Sequence, residues 1–221
     1  MRTLYHYPMC PFSRLVRIYL HEKILEYDSI QEFPWRRKKS FSENHVFSDI
    51  PTLVEKDGQL LEGWYAIVEY IEQIYKTKPM FGISHREKSE TRRIVALFNG
   101  MFFADVTKNI FFERVVKRYT GDAPDSSCIR KSIAGIKAYM EHISWLADRR
   151  NWLAGDELTL ADVAAAAHIS CLDYFGSVEW ENFPVAKDWY TRIKSRPSFR
   201  DILHDRIQIV PPVSYYQELD F

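Results

Sequence analysis

The first third of the chain combines short strand-like runs with helix-like spacing of apolar residues. The predicted elements, in order, are a strand over 3–7, a helix over 12–23, strands over 27–30, 51–55 and 59–61, and a helix over 65–75. Asp57 and Gly58 separate the last two strands, and this dipeptide between apolar runs is typical of a hairpin. Residues 33–45 are polar, basic and aromatic, and we interpret them as irregular or weakly helical.

The rest of the chain has helical spacing and no strand pattern. Residues 78–84 contain a proline and a glycine, which predicts a linker. Predicted helices follow over 85–119, 126–148, 159–174, 184–195 and 197–204. Two of them begin with capping sequences, Ser84-x-x-Glu87 and Thr159-x-x-Asp162. The last stretch has two adjacent prolines and no helical period, so we interpret it as a tail.

Composition limits the possible functions. The 221 residues carry 30 Lys and Arg against 30 Asp and Glu, so the formal net charge is zero. A neutral chain with one short basic cluster does not favour nucleic-acid binding. We find no apolar run long enough to span a bilayer and no signal sequence, and therefore expect a cytoplasmic protein without membrane insertion. Three widely spaced cysteines fit a reducing compartment, and seven histidines without ligand spacing predict no metal site.

Several motifs occur in the same order as the predicted elements. They are the stretch from Tyr7 to Arg17 at the first strand–helix junction, the Ile50–Pro51 pair, residues 153–162, and Trp189 with Arg192, Arg196 and Pro197. Together they resemble the cytosolic glutathione transferases over nearly the whole chain. The resemblance implies an α/β thioredoxin-like N-terminal domain over 1–77, a linker over 78–84, an all-α C-terminal domain over 85–205 and a C-terminal tail over 206–221. It also implies that Pro51 is a cis-proline.

Cys10 lies at the start of the first helix, where the family keeps a Tyr, Ser or Cys. The positive end of a helix favours a thiolate, so Cys10 is a candidate catalytic residue, with Ser13 as a second candidate. No other cysteine lies between Cys10 and Ser13, which excludes a dithiol mechanism. A small buried side chain in a turn is the simpler interpretation of Cys10. The resemblance implies a ligand pocket formed by Cys10, Pro11, Phe12, Ile50, Pro51, Gly63 and Trp64.

The start of the helix predicted over 65–75, which corresponds to the third helix of the glutathione transferases, departs from the family pattern. The family has Glu-Ser-x-Ala-Ile there, and the Ser hydroxyl, the backbone and the helix end hold the γ-glutamyl carboxylate of glutathione. This chain keeps Ala66 and Ile67, but the pair falls on Gly63 and Trp64, which supply no hydroxyl. Losing a charge-assisted contact costs roughly 1.5–3 kcal/mol. We therefore predict no cofactor and doubtful glutathione binding, with a repacked pocket for another ligand as the alternative.

Two surface segments are candidates for partner binding. The stretch 33–39 is basic with flanking aromatic residues, and it forms either a binding face or a solvated loop with Trp35 tucked into the core. The last eleven residues are rich in aromatic and apolar side chains. Because terminal segments are usually polar and frayed, such a tail either packs back on the protein or binds a partner as an extended peptide.

These features together resemble a subfamily of GST-like FtsZ-binding proteins of alphaproteobacterial cell division. The shared features are a Trp-x-Arg-Arg-type stretch, the missing Glu-Ser pair, the segment 113–118 and the Tyr-x-x-Leu-Asp-Phe end. The resemblance implies a non-catalytic homodimer, recruited to the division site, that binds FtsZ filaments and contacts septal wall machinery through its tail. The implied partner-binding residues are Trp35, Arg36, Arg37, Glu113, Tyr216, Glu218, Leu219, Asp220 and Phe221. A glutathione transferase or Cys10-dependent thiol transferase is the alternative function.

Overall fold

The computed structural model describes residues 1–33, 35 and 50–219. Its N-terminal part contains a four-stranded sheet in the order β2-β1-β3-β4. The strands are β1 (Arg2–His6), β2 (Tyr27–Gln31), β3 (Thr52–Val54) and β4 (Leu60–Glu62). β1 pairs parallel with β2 and antiparallel with β3, and β3 pairs antiparallel with β4. All four predicted strands are confirmed to within two residues.

The two turns predicted in this sheet are also confirmed. The Asp57 carboxylate accepts the Gln59 amide at 3.0 Å, and Gly58 has a φ of 88°, a left-handed conformation that glycine adopts without strain. The Ile50–Pro51 peptide bond is cis. Most of the basic stretch that follows β2 lies outside the described residues, including Arg36 and Arg37.

Among the described residues of the N-terminal part, two helices follow β1 and β4 and pack against each other. α1 (Pro11–Glu22) begins with a proline, which suits the first helical position because its missing N–H would have no partner there. α2 (Trp64–Ile74) buries Ile67, Val68 and Ile71. The predicted helix spacing is thus confirmed for both. α1 also packs against a helix of the C-terminal part, so the two units share one hydrophobic core.

The C-terminal part is helical. Its helices are α3 (His85–Thr120), α4 (Ser126–Ala147), α5 (Leu160–Tyr174), α6 (Pro184–Lys194) and α7 (Arg200–Leu203). Within α3 two stretches, Leu97–Thr107 and Phe112–Val116, are wound as π-helix. Short 3₁₀ turns form at Trp180–Asn182, Pro197–Phe199 and Ser214–Gln217. The sequence pattern did not predict the first and last of these turns, because a single turn leaves no period to detect.

α3 is the longest helix in the described part of the chain. By length and composition alone its 36 residues could cross a bilayer, with a mean hydropathy of 1.2 over the most apolar window. The sequence-based expectation of no such run is therefore wrong for α3 by length and composition alone. In the structure 44% of that window is buried, and α3 packs against α4 and α5. Its apolar residues therefore contribute to the core of the helical domain.

Both predicted capping boxes are confirmed. At the start of α3, Ser84 Oγ accepts the Glu87 amide at 3.2 Å, and Glu87 Oε2 accepts the Ser84 amide at 2.8 Å. The second box, formed by Thr159 and Asp162, is present in full at the start of α5. Each box satisfies backbone donors that the first turn of a helix otherwise leaves without partners.

Candidate functional site

The loop between β1 and α1 holds the two candidate catalytic residues. Cys10 is the N-cap of α1 and is half-buried; its amide donates to the Tyr7 carbonyl at 3.0 Å. Ser13 is buried, and its hydroxyl accepts the Tyr7 amide at 3.3 Å. The Ser13 hydroxyl therefore stabilises the loop. Of the two, Cys10 is the side chain that reaches solvent.

The start of α2 lies beside the cis-proline, as the family resemblance predicts. The Gly63 amide donates to the Pro51 carbonyl at 3.0 Å. Gly63 is the N-cap of α2 with a φ of 81°, and no side chain caps this helix. Because a side chain is strained at such a φ, glycine suits this position. Gly63 and Trp64 therefore offer backbone donors but no side-chain hydroxyl at this helix start.

Trp64 joins the starts of α1 and α2 by aromatic stacking. Its indole lies 6.3 Å from the Phe12 ring, centroid to centroid, with an angle of 10° between the planes. Phe12 in turn contacts Phe103 of α3, with a centroid distance of 4.7 Å, and His168 of α5 at 5.6 Å. The indole is half-buried. Where the family pattern has a hydroxyl for a carboxylate, this chain has an aromatic stack that extends across both domains.

His168 lies beneath this stack and is fully buried. Its Nδ1 contacts Thr107 Oγ1 at 3.0 Å and its Nε2 contacts Asn99 Oδ1 at 3.1 Å. Burial lowers the pKa of His168 from its ordinary value of 6.5 to about 3. The imidazole is therefore neutral at physiological pH and contributes packing and hydrogen bonds. Within the described part of the chain, no group of three His, Cys, Asp or Glu side chains is placed to hold a metal ion.

A second aromatic cluster joins residues that follow β1 and β2 to α3. Its members are Tyr7, Phe33, Trp35, Phe111 and Tyr119, with Trp35 centroids 4.9 Å from Tyr7, 5.1 Å from Tyr119 and 6.0 Å from Phe111. We call this set the Trp35 cluster. Trp35 is half-buried within it. Burial raises the pKa of Tyr7 well above its ordinary value, so its hydroxyl is neutral. The interpretation of Trp35 as tucked against the core thus agrees with its position.

Glu113, a predicted partner-binding residue, is only 5% exposed. Its Oε2 accepts the Asp125 amide at 2.6 Å and the Lys117 ammonium at 2.7 Å. The carboxylate therefore fixes the link between α3 and α4. The structure does not place it on an open surface, although the neighbouring Phe112 is 48% exposed.

The tail packs back on the protein as far as Gln217. Tyr216 is fully buried, so a direct partner contact by this side chain does not fit the described arrangement. Glu218 is exposed, and Leu219 is 45% exposed. Asp220 and Phe221 lie outside the described residues. Of the two alternatives for the tail, packing back is observed for its first part.

Several residues of these clusters were not identified from the sequence. They are Phe103, Phe111, Tyr119 and His168. All four are on α3 or α5, far in sequence from Phe12 and Trp35, and their helical spacing is what any core helix would show. The only sequence signal was the high aromatic content of 15%, which says nothing about position.

Comparison with known proteins agrees with this geometry. The family described as glutathione S-transferase, N-terminal domain, matches residues 4–79, and the family described as glutathione S-transferase, C-terminal domain, matches residues 103–197. FtsZ-localized protein A of Caulobacter vibrioides is 38% identical over 224 residues, covering 100% of this chain and 98% of that protein. Glutathione S-transferase 3 of Zea mays is 26% identical over 219 residues, covering 96% of each chain.

Solved structures give the same result. A glutathione S-transferase from Rhodospirillum rubrum F11 superposes with a TM-score of 0.97 at 43% identity and covers 100% of both chains. FzlA from C. crescentus superposes with a TM-score of 0.96 at 38% identity, covering 100% of this chain and 99% of that one. From the matched domains, the thioredoxin-like sheet with its cis-proline and the helical second domain, the chain belongs to the glutathione S-transferase family and is similar over its full length to FtsZ-localized protein A.

Proposed function

We propose that this protein is a non-catalytic, GST-like interaction protein that binds FtsZ filaments and regulates bacterial cell division. It would work in the cytoplasm and be recruited to the division site. The observation that carries the proposal is the stack of Trp64 on Phe12 at the place where the family holds glutathione. Full-length similarity at 38% identity to a protein named for FtsZ localisation supplies the partner class.

The stack argues against glutathione as a tightly bound cofactor. A carboxylate at a helix start needs donors and open space in front of the helix. Gly63 supplies no side chain, and the Trp64 ring is engaged with Phe12. The missing hydroxyl alone costs roughly 1.5–3 kcal/mol for a charged acceptor, or one to two decades of affinity. These residues do not fit the γ-glutamyl carboxylate, so no catalytic step through glutathione is proposed.

The filament-binding side would be formed around the Trp35 cluster. Trp35 is half-buried and packs on Tyr7, Phe111 and Tyr119. A partner would therefore contact the exposed part of an indole ring that its neighbours hold in place. Glu113 would act indirectly here, because its carboxylate holds the Asp125 amide and Lys117. Arg36 and Arg37 lie outside the described residues, and their roles stay predictions.

The end of the tail would make the second contact, with septal wall machinery. Glu218 and Leu219 are exposed, while Tyr216 anchors the segment that precedes them. Glu218 is acidic and Leu219 is apolar, and both follow the buried Tyr216. A partner could therefore recognise this end of the tail as a short peptide. In this proposal Tyr216 positions the tail and makes no direct contact with the partner.

We also expect a homodimer. Two separate faces expose large apolar side chains that a second copy could cover. Tyr65 and Ile74 of α2 are 60% and 57% exposed, and Met101 of α3 is 61% exposed. Met101 lines a groove of about 810 Å³ between α3 and α4. Size-exclusion chromatography with light scattering tests this expectation, and a monomer at micromolar concentration would contradict it.

Co-sedimentation with FtsZ tests the main proposal. Purified full-length protein should pellet with FtsZ polymerised in GTP and stay in the supernatant without polymer. Trp35→Ala should weaken filament binding by about tenfold or more, because a supported aromatic side chain is typical of binding hot spots. Trp145→Ala is the matched control, since Trp145 is 51% exposed on α4 and its ring contacts are with His142 and Arg149. If the wild-type protein fails to pellet with polymer, the proposal is wrong.

Cys10 supports the second candidate function, a glutathione transferase or Cys10-dependent thiol transferase. It is the N-cap of α1 and is half-buried. Turnover of an aryl halide or of a mixed disulfide with glutathione, lost in Cys10→Ala, would favour this enzyme. We expect no turnover above background and no difference between wild type and Cys10→Ala.

A further inference from the structure

Arg14 of α1 has a fully buried side chain that supports the loop before Cys10. Its Nε donates to the Pro8 carbonyl at 2.7 Å, and its Nη2 lies 3.0 Å from Met9 Sδ. Both contacts are to residues directly before Cys10. The guanidinium therefore holds the backbone path of the β1–α1 loop from inside the protein.

The opposite side of the same guanidinium contacts the C-terminal tail. Arg14 Nη1 donates to Tyr216 Oη at 3.0 Å and to Ser170 Oγ at 2.8 Å. The Tyr216 ring also lies 5.9 Å from the guanidinium carbon, and its hydroxyl donates to the Ile202 carbonyl. A single buried cation thus contacts the loop of one domain, a core helix of the other, and the tail.

The charge balance around Arg14 makes the tail contact important. Its nearest carboxylate oxygen is Asp205 Oδ2 at 3.5 Å, and that same carboxylate pairs with Arg17 at 2.7 Å. Two guanidinium groups therefore share one carboxylate. A buried cation that loses an acceptor leaves a donor without a partner, which is costly in the interior. The Tyr216 oxygen is thus one of the few acceptors that keep Arg14 in place.

We propose that Arg14 is a positioning residue that couples the seating of Tyr216 in the tail to the order of the loop Pro8–Cys10. When Tyr216 leaves its site, Nη1 loses an acceptor and the guanidinium shifts, which loosens its hold on the Pro8 carbonyl. Linkage makes the effect reciprocal: whatever stabilises the loop stabilises the seated tail by the same free energy. The coupling goes beyond the proposed function and requires no particular tail partner.

Two signals report the order of this loop in the full-length protein alone. The Cys10 amide donates to the Tyr7 carbonyl at 3.0 Å, so its hydrogen exchange follows opening of the loop. The Cys10 thiol is half-buried, so its alkylation by iodoacetamide, measured at this site by mass spectrometry, follows the same opening. Gly63, whose amide donates to Pro51 at 3.0 Å, is a remote reporter in the same domain.

The test compares Tyr216→Phe with Gln217→Ala. Tyr216→Phe keeps the ring and removes the oxygen that Arg14 contacts. Gln217→Ala removes a contact of the same turn, to the Leu203 carbonyl at 3.2 Å, without touching Arg14. Tyr216→Phe should speed amide exchange and alkylation at Cys10 by about tenfold, the typical effect of losing a hydrogen bond to a charged group.

The control and the remote reporter decide the outcome. Gln217→Ala should leave both Cys10 rates within about twofold of wild type, and Gly63 exchange should stay within about twofold in both variants. Equal Cys10 rates in Tyr216→Phe and wild type would overturn the coupling. An equal acceleration at Gly63 would also overturn it, because it would show general loosening of the domain. Neither result depends on FtsZ, so this test and the co-sedimentation test can fail separately.

Discussion

The starts of α5 and α2 are both helix N-termini that the family resemblance singles out, and they differ in what satisfies them. At α5, the buried Asp162 carboxylate accepts the Leu153 amide at 2.8 Å, the Thr159 amide at 3.1 Å and the Trp189 indole at 3.1 Å. At α2, no side chain caps the helix, and Trp64 stacks on Phe12. One start is a closed polar network, and the other is an aromatic contact.

The two helix starts illustrate two roles that a helix N-terminus can have, stabilising the fold and binding a ligand. The Asp162 network joins three segments of the C-terminal domain, so the fold depends on it. The start of α2 serves a ligand in the family pattern, and here it serves packing between domains. An aromatic pair of this kind contributes about 0.5–1.5 kcal/mol beyond its buried area. The fold can therefore be retained while the residues at this helix start change.

The largest expected effect is on the free energy of unfolding, when the Asp162 network at the start of α5 is removed. Asp162→Ala leaves the Leu153 and Thr159 amides and the Trp189 indole without an acceptor in the interior. Each buried unsatisfied donor costs about 1–3 kcal/mol, so the free energy of unfolding should fall by more than about 3 kcal/mol. Urea unfolding followed by tryptophan fluorescence measures this change.

Asp156→Ala is the matched control for that substitution. Asp156 is exposed and lies six residues before Asp162 in the same segment. Its removal should change the free energy of unfolding by less than about 0.5 kcal/mol. Equal effects of the two substitutions would contradict the role given to the Asp162 network.

A smaller effect, on glutathione affinity, is expected when a hydroxyl is restored at the start of α2. Trp64→Ser removes the stack and places a hydroxyl at the first residue of α2, so glutathione should bind about ten- to a hundredfold more tightly than to wild type. Trp64→Ala opens the same space without a hydroxyl and should gain less. Calorimetric titration measures both, and equal affinities of Trp64→Ser and wild type would contradict the argument. Gly63→Glu is unsuitable, because the φ of 81° strains any side chain.

A third effect concerns the pH dependence of stability beneath the stack. The folded-state pKa of His168, about 3, lies below its ordinary value of 6.5, so the unfolded chain binds more protons as the pH falls. Stability should therefore decrease below pH 6.5, by up to roughly 1.4 kcal/mol per pH unit for each such histidine. His6, whose pKa is also lowered to about 3 by burial and by Arg17, adds to the slope.

His168→Gln tests this assignment because glutamine does not titrate. The free energy of unfolding should decrease less steeply between pH 6.5 and 4 in the variant than in wild type. The comparison uses the slope, so a constant loss of stability from the substitution itself does not matter. Parallel slopes would show that His168 is not a source of the pH dependence.

Much of the fold could be predicted from local sequence signals. The capping boxes need residues three apart, and the Asp57–Gly58 hairpin needs a dipeptide, so both are encoded within one turn. The cis-proline and the missing hydroxyl at Trp64 followed from resemblance to the family. These signals fixed the order of elements and showed where the ligand site departs from the family.

The contacts that define the site could not be predicted in the same way. The partners of Phe12, namely Trp64, Phe103 and His168, come from three other elements, and no local pattern identifies which aromatic residues meet. Tyr216 is a similar case: its sequence neighbours suggest an interaction tail, but its hydroxyl is needed by a buried arginine 202 positions earlier. Glu113 has the charge of a surface residue and is buried by contacts within the protein.

Calorimetric titration of glutathione into the wild-type protein tests most directly the claim that the start of α2 no longer holds this ligand. We predict no binding heat up to millimolar glutathione, since Trp64 stacks on Phe12 and no hydroxyl faces the carboxylate. Micromolar affinity would contradict the account and would return the Cys10 enzyme to first place.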